Sequence, residues 1–295
     1  MSLHDFSLLV VVCLIWAAHT IISKLVVSGM EIPPLFYAAI RYALVALFAL
    51  PWLFPLPRPL GRTALVGLMM GGGGFAFFFS GIKTATPSSS AVVLQLGLPM
   101  TTLLSMALLG EMPDRKRWIG IVLTFLGAVL VMWEPGGMAL TGGLAFIALS
   151  AFVGSLAAVM MKQINGVQPL QFQAWVGIAS TPPLLLLTLG LEADQAKTAV
   201  AGGWPFVAAV LFSAVVVSLV AHTIYYGLIL KYPANVIAPL MVINPLMTVA
   251  LGIAVTGDPF DTRIALGTTI ALLGVLLVTL SRDQVARLLG RPRTR

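Results

Sequence analysis

Ten apolar runs, each about long enough to cross a lipid bilayer, dominate this 295-residue chain and leave little of it for anything else. A spanning helix needs about 20 apolar residues, because inside the hydrocarbon each backbone amide must find its partner within its own segment. Such runs fall near 6–27, 35–54, 63–82, 88–109, 118–133, 142–161, 170–190, 204–229, 235–256 and 263–281. The fifth is short and is expected to start inside a basic loop. The connections carry Pro, Gly or charge: Pro33-Pro34, Pro55 to Gly61, Pro135-Gly136-Gly137 and Gly202-Gly203. Only 9% of residues are charged, against roughly 25% in a soluble domain. The expected fold class is an all-α membrane protein with ten transmembrane helices. The first run is too long for a signal peptide and no small-residue cleavage site follows it, so it is expected to be retained as a span.

The spans repeat. Gly81, Pro87, Pro99 and Pro113 recur 146 residues later as Gly227, Pro233, Pro245 and Pro259. After one residue of slippage, Glu111, Gly120 and Gly127 recur 147 residues later as Asp258, Gly267 and Gly274. Two copies are therefore expected, over 1–137 and 138–282, followed by a basic cytoplasmic tail over 283–295. Five spans per copy is an odd number, so the second copy enters the membrane from the opposite side. Inverted repeats of this kind are the usual symmetry of secondary transporters, with substrate held near the midplane between the copies.

The net charge of +7 reports topology rather than nucleic-acid binding. Of the 17 Lys and Arg, twelve fall on the face that carries both termini, four fall on the other, and Arg41 lies within a span. Basic residues favour the cytoplasm, so both termini are expected to be cytoplasmic.

These residues also carry a resemblance. Ile15-Trp16 with Lys24, Pro34 through Arg41-Tyr42, the Gly81 to Pro99 segment, and Gly110-Glu111 to Gly127 resemble the drug/metabolite transporter superfamily in its ten-span EamA-type branch. Within that branch the chain is most similar to aromatic amino acid exporters of the YddG type. The resemblance implies a basket of helices that opens alternately to each side, with the fifth and tenth helices at the periphery. It also implies a multi-pass protein of the bacterial inner membrane. One departure is that Ala17-Ala18-His19 stands where the family often has Gly-Ser after Ile-Trp.

Polar groups inside spans cost roughly 2.5–3.5 kcal/mol when ionisable and each needs a reason. Arg41 either clamps a substrate carboxylate with its guanidinium fork or snorkels to loose helix-end carbonyls. His19 has Trp16, Thr20 and Ser23 at helical spacing; His222 has Ser218, Tyr225 and Tyr226. Both stripes read as cavity walls or as helix–helix hydrogen bonds. Gln95 with Pro99, and Asn244 with Pro245, sit in corresponding helices. Proline frees a carbonyl one turn back, and broken helices often mark a transporter's binding site, so Gln95 and Asn244 are expected to project inward. Trp175 and the run Phe75, Phe77, Phe78, Phe79 supply aromatic surface, with Phe78 and Phe79 favoured because they lie nearest Gly81. The candidate substrate contacts are thus Trp16, His19, Arg41, Phe78, Phe79, Gln95, Trp175, His222, Tyr225 and Asn244. The glycines of the fifth and tenth spans serve either dimer contacts or internal packing.

No Asp or Glu falls mid-span, which disfavours tight proton coupling through a buried carboxylate and a preference for simple lipophilic cations. No phosphate-binding Gly-x-x-x-x-Gly-Lys-Ser/Thr loop occurs, and Cys13 supports neither a disulfide nor a metal site. No cofactor or metal is expected. The expected partners are a small-molecule substrate and the lipid bilayer, with no nucleic acid, in a monomer or weak dimer. The expected activity is export of aromatic or apolar amino acids and related metabolites by alternating access, as a uniporter rather than an enzyme. The competing readings are an exporter of another substrate class, such as a drug, and a non-transporting assembly protein.

Overall fold

A computed structural model describes residues 1–133, 142–164, 166–232 and 234–280. Among these residues the regular structure is helical throughout. Nine helical stretches are long and apolar enough to span a membrane: Leu3–Gly29, Pro34–Trp52, Leu60–Ile82, Pro87–Leu109, Gly142–Met161, Pro169–Leu191, Gln195–Ile229, Val236–Thr256 and Thr262–Thr279. Arg115–Met132 adds a further helix, the fifth in chain order, so that Thr262–Thr279 is the tenth. The first turn of the fifth is Arg115, Lys116 and Arg117 of the basic loop, as expected. The eighth stretch starts earlier than the apolar run, because a short helix from Gln195 joins it across a kink at Gly203 (φ 52°, ψ −144°). The expected boundary between the copies at 137/138 and the tail lie outside the described residues.

The duplication is visible in local geometry. The fourth helix breaks between Pro87–Leu94 and Gly97–Leu109, and the ninth between Ala234–Leu240 and Ile243–Leu251. Pro99 and Pro245 cause this, since neither can donate to the carbonyl four residues back. The freed carbonyls of Gln95 and Met241 instead accept from Leu98 N at 3.3 Å and Asn244 N at 3.1 Å. These carbonyls are 146 residues apart. The fourth helix ends at Gly110 (φ 70°) and the ninth at Gly257 (φ 65°), left-handed positions that favour glycine. Asp114 then caps the fifth helix by accepting from Arg117 N at 2.9 Å, and Asp261 caps the tenth by accepting from Ile264 N at 2.8 Å.

Packing does not follow the two copies. The sixth helix lies on the third and fourth: Ser150 donates to the Gly74 carbonyl at 2.7 Å and Ser155 to that of Gly97 at 2.8 Å. A Cβ on Gly81 would stand 2.6 Å from the Gly143 carbonyl oxygen, so these backbones touch. The first helix lies on the eighth and ninth. His19 Nε2 is 2.9 Å from Ser213 Oγ, and Asn244 donates to the Cys13 carbonyl at 3.1 Å. Each three-helix group thus takes its first helix from the other copy. The expected cavity between two sequential five-helix units becomes a cavity between exchanged groups. Small residues and short polar bonds drive the exchange, because lipid gives apolar side chains no preference among helix neighbours.

The fifth and tenth helices pack on each other. A Cβ on Gly127 would stand 2.4 Å from Ala271 N, and one on Gly274 2.5 Å from Thr124 N. Their glycines therefore serve contact within the chain.

Candidate functional site

Three spans from each side of the exchange meet around a cavity of ≈ 280 Å³. Trp16, His19 and Thr20 come from the first helix, Phe75 and Phe78 from the third, and His222 and Asn244 from the eighth and ninth. The wall is aromatic on one side: the His222 ring centroid is 5.1 Å from Trp16, and Tyr225 meets Trp16 edge-on at 5.0 Å. His19 stacks on Phe78 at 6.4 Å. The Trp16 indole Nε1 is buried without a hydrogen-bond partner among the described residues.

Hydrogen bonds assign the two histidines. His222 Nδ1 lies 2.7 Å from the Val217 carbonyl, which can only accept. Nδ1 therefore carries the proton, and in the neutral ring Nε2 is an acceptor. Residues 212–221 form a π-helical turn, and this widening brings Val217, five residues back, within reach. His19 Nε2 lies 3.3 Å from Arg41 Nη1, which can only donate, so Nε2 accepts. In a neutral ring the proton is then on Nδ1.

Arg41 is fully buried. It donates from Nε and Nη2 to Ser218 Oγ at 3.3 and 3.0 Å, and its guanidinium carbon sits 4.0 Å from the Phe75 ring centroid. No carboxylate pairs with it among the described residues. The side chain neither snorkels nor reaches helix-end carbonyls. It joins the second helix to the first and eighth from behind the cavity wall.

A second space of ≈ 240 Å³ shares Trp16 and Asn244 with the first and adds Gln95, Leu98, Tyr225, Ala238 and Met241. A third, of ≈ 290 Å³, shares Ala238 with the second and reaches the face that carries the N-terminus, among Thr101, Ser105, Glu111, Arg117 and Lys162. Through these shared residues the three spaces lie in succession from the cavity toward that face. Toward the other face, contacts bridge the helices above the cavity. Lys24 Nζ donates to the Ile82 and Lys83 carbonyls, both at 3.1 Å, and Tyr37 lies against Phe79 at 4.6 Å.

The candidate residues separate accordingly. Trp16, His19, Phe78, His222 and Asn244 line the first cavity; Gln95 and Tyr225 line the second, so both broken helices project a polar side chain inward. Arg41 and Phe79 stand behind the wall. Trp175 is in neither lining; its backbone packs against Gly67, and its Nε1 is buried without a partner among the described residues. Phe75 belongs to the lining although nearness to Gly81 favours Phe78 and Phe79, because sequence distance does not tell which face of a helix turns inward. Ser150 and Ser213 were missed. Single serines in apolar spans are too common to signal a site.

Ten apolar helices in an inverted duplication, bridged at one face and hollow toward the other, define a secondary membrane transporter. The EamA-like transporter family matches residues 6–133 and again 141–280, and the chain belongs to that family. It is 28% identical to a probable amino-acid metabolite efflux pump of Salmonella typhimurium, over 94% of this chain and 95% of the relative. A probable amino-acid metabolite efflux pump of Escherichia coli strain K12 is 26% identical over 94% and 93% of the two chains. The uncharacterized inner membrane transporter YedA of the same strain is 24% identical over 94% and 91%. A solved crystal structure superposes with a TM-score of 0.61 at 16% identity, covering 94% of this chain and 97% of that one, and shows the shared fold.

Proposed function

We propose that this protein exports amino acids with aromatic or apolar side chains, by alternating access and without proton coupling, from the inner membrane with both termini cytoplasmic. The observation that carries the reading is the cavity. At ≈ 280 Å³ it lies just below the roughly 300–1,000 Å³ typical of ligand pockets, a size for one compact metabolite. Trp16, Phe75 and Phe78 offer faces to an indole, phenyl or branched side chain. Trp16 Nε1 offers a donor to a carboxylate, and His222 Nε2 offers an acceptor to an ammonium. The relatives named as amino-acid metabolite efflux pumps support amino-acid metabolites as the substrate class, and the relative named as an inner membrane transporter supports the location. A nucleotide sugar would need several cations, and among the described residues no Lys or Arg lines the cavity.

Purified protein in sealed liposomes tests this. Labelled tryptophan, phenylalanine and threonine are offered beside a lipophilic cation. Flux of the amino acids above that of empty vesicles is expected; none would remove the substrate assignment. Trp16→Ala and His222→Ala should each lower that flux by about tenfold or more, the loss of roughly 1.4 kcal/mol of interaction. Trp175→Ala should lower it least of the three.

The uniport reading rests on the cavity's titratable groups. Among the described residues no carboxylate lines it, and His19 accepts from a guanidinium. A pH gradient imposed across the same vesicles should leave the substrate distribution unchanged. Gradient-driven accumulation would overturn the uniport reading while leaving the substrate assignment intact.

A further inference from the structure

Glu111 and Asp258 are repeat mates, 147 residues apart, and each follows the left-handed glycine that ends its helix. Their surroundings differ. Asp258 is 7% exposed and reaches across to the other three-helix group, where its Oδ2 accepts from Ser88 N at 2.8 Å. Oδ1 accepts from Thr256 Oγ1 at 2.7 Å. The contact is tight: a Cβ on Gly252 would stand 2.4 Å from Asp258 Oδ2 and 2.6 Å from Ser88 Oγ. Ser88 lies in the first turn of the fourth helix, just after Pro87. The corresponding place in the ninth helix is Ala234, just after Pro233.

Glu111 makes no such crossing. Its side chain is 56% exposed and pairs at 3.0 Å with Lys162, which follows the sixth helix in its own three-helix group. Where a crossing to the ninth helix would lie, there is instead the ≈ 290 Å³ space between Ser105, Glu111 and Ala238. Lys162 has a counterpart as well. Lys24 is the last residue of the α-helical part of the first helix, as Lys162 is the residue after the sixth, and each copy's first helix thus carries a lysine at its end. At present Lys24 is spent on the Ile82 and Lys83 carbonyls of the opposite group.

We propose that Glu111 and Asp258 are the two latches of alternating access, and that they exchange partners between states. In the present state Asp258 is latched to Ser88 and the face without the termini is shut, while Glu111 is parked on Lys162 and the terminal face is hollow. In the opposite state Glu111 latches to the start of the ninth helix at Ala234, and Asp258 parks on Lys24. The inverted repeat supplies the reason: two copies with one sequence pattern can adopt two environments, and the transition swaps them. This rests on the alternating-access reading but not on the choice of substrate.

The test reads conformation without substrate. Spin labels are placed through cysteines on a Cys13→Ser background. One pair, at Lys83 and Val255, reports the face without the termini, and the other, at Leu3 and Leu108, reports the terminal face. Asp258→Asn should raise the ratio of molecules open at the first face to those open at the second by about tenfold, since a bond to a charged acceptor becomes a bond to a neutral one. Glu111→Gln should shift the same ratio about tenfold the other way. Asp258→Glu and Glu111→Asp keep the charge and should restore most of the native distribution, which separates latching from loss of folding. Shifts in the same direction for both neutral variants, or no shift in either while both remain folded, would overturn the proposal. Shifts of opposite sign support it even if none of the tested amino acids is transported.

Discussion

Gly127→Leu is expected to unseat the fifth helix from the tenth and to give the largest loss of folded protein of any single surface-distant glycine change. The first added carbon would stand 2.4 Å from Ala271 N and 2.5 Å from the Gly267 carbonyl, and both are backbone atoms that no rotamer change can move. The remaining leucine atoms must go somewhere in the same seam. Overpacking a soluble core costs about 1–3 kcal/mol. Here the seam is continuous, because Gly120 and Gly274 face each other with a Cβ-to-carbonyl distance of 2.7 Å in both directions. Helices in lipid associate through close packing rather than through a hydrophobic drive, so separating the backbones removes most of what holds the pair. Melting in detergent and the yield of monodisperse protein should both fall sharply. Gly190→Ala is the control, since open space surrounds its Cβ and helix propensity gains about 1 kcal/mol. If Gly127→Leu melts with the native protein, this interface is not what the structure describes.

The second large effect concerns Arg41, through two substitutions. Arg41→Met keeps an unbranched side chain of similar reach and removes the charge. Arg41→Ala removes both. The native guanidinium costs energy to bury in the span, roughly 2.5–3.5 kcal/mol on insertion scales, and recovers it through bonds to Ser218 and His19 and its seat 4.0 Å over Phe75. Replacing a buried ion by an apolar group of like volume is often close to neutral in stability. Arg41→Met should therefore melt near the native protein, whereas Arg41→Ala should lose about 2–5 kcal/mol as large-to-small core changes do. Transport should fall at least about tenfold in both, because His19 loses the donor that sets its tautomer and the eighth helix loses its tie to the second. Native flux in Arg41→Met would show that this arginine serves only insertion.

These expectations rest on features of unequal visibility. Apolar length and low charge made the membrane fold legible, since the bilayer forbids unpaired backbone over about 20 residues. The duplication was legible from glycines and prolines, because those residues mark breaks and ends that the backbone must place at the same points in each copy. The break at Gln95 and its mate at Met241 show this directly. His19, His222, Trp16 and Asn244 were also legible, because polar groups in an apolar span need a partner or a cavity.

Other features needed the third dimension. Periodicity gives the angle of a residue around its own helix but not which neighbour that angle meets. For this reason Phe75 lines the cavity while Phe79, four residues on, lies behind it against Tyr37. The same limit hid the role of Arg41, whose partners Ser218 and His19 lie 177 and 22 residues away. It also left open whether Gly127 faces another chain or its own tenth helix.

By itself the sequence determined an all-helical membrane protein of two inverted copies, because span length, charge asymmetry and Gly/Pro spacing act locally along the chain. Only the tertiary structure decided that the first and sixth helices change places between the copies. That choice depends on which small residues let two backbones touch, as Gly81 and Gly143 do, and such complementarity exists only between segments that are already side by side.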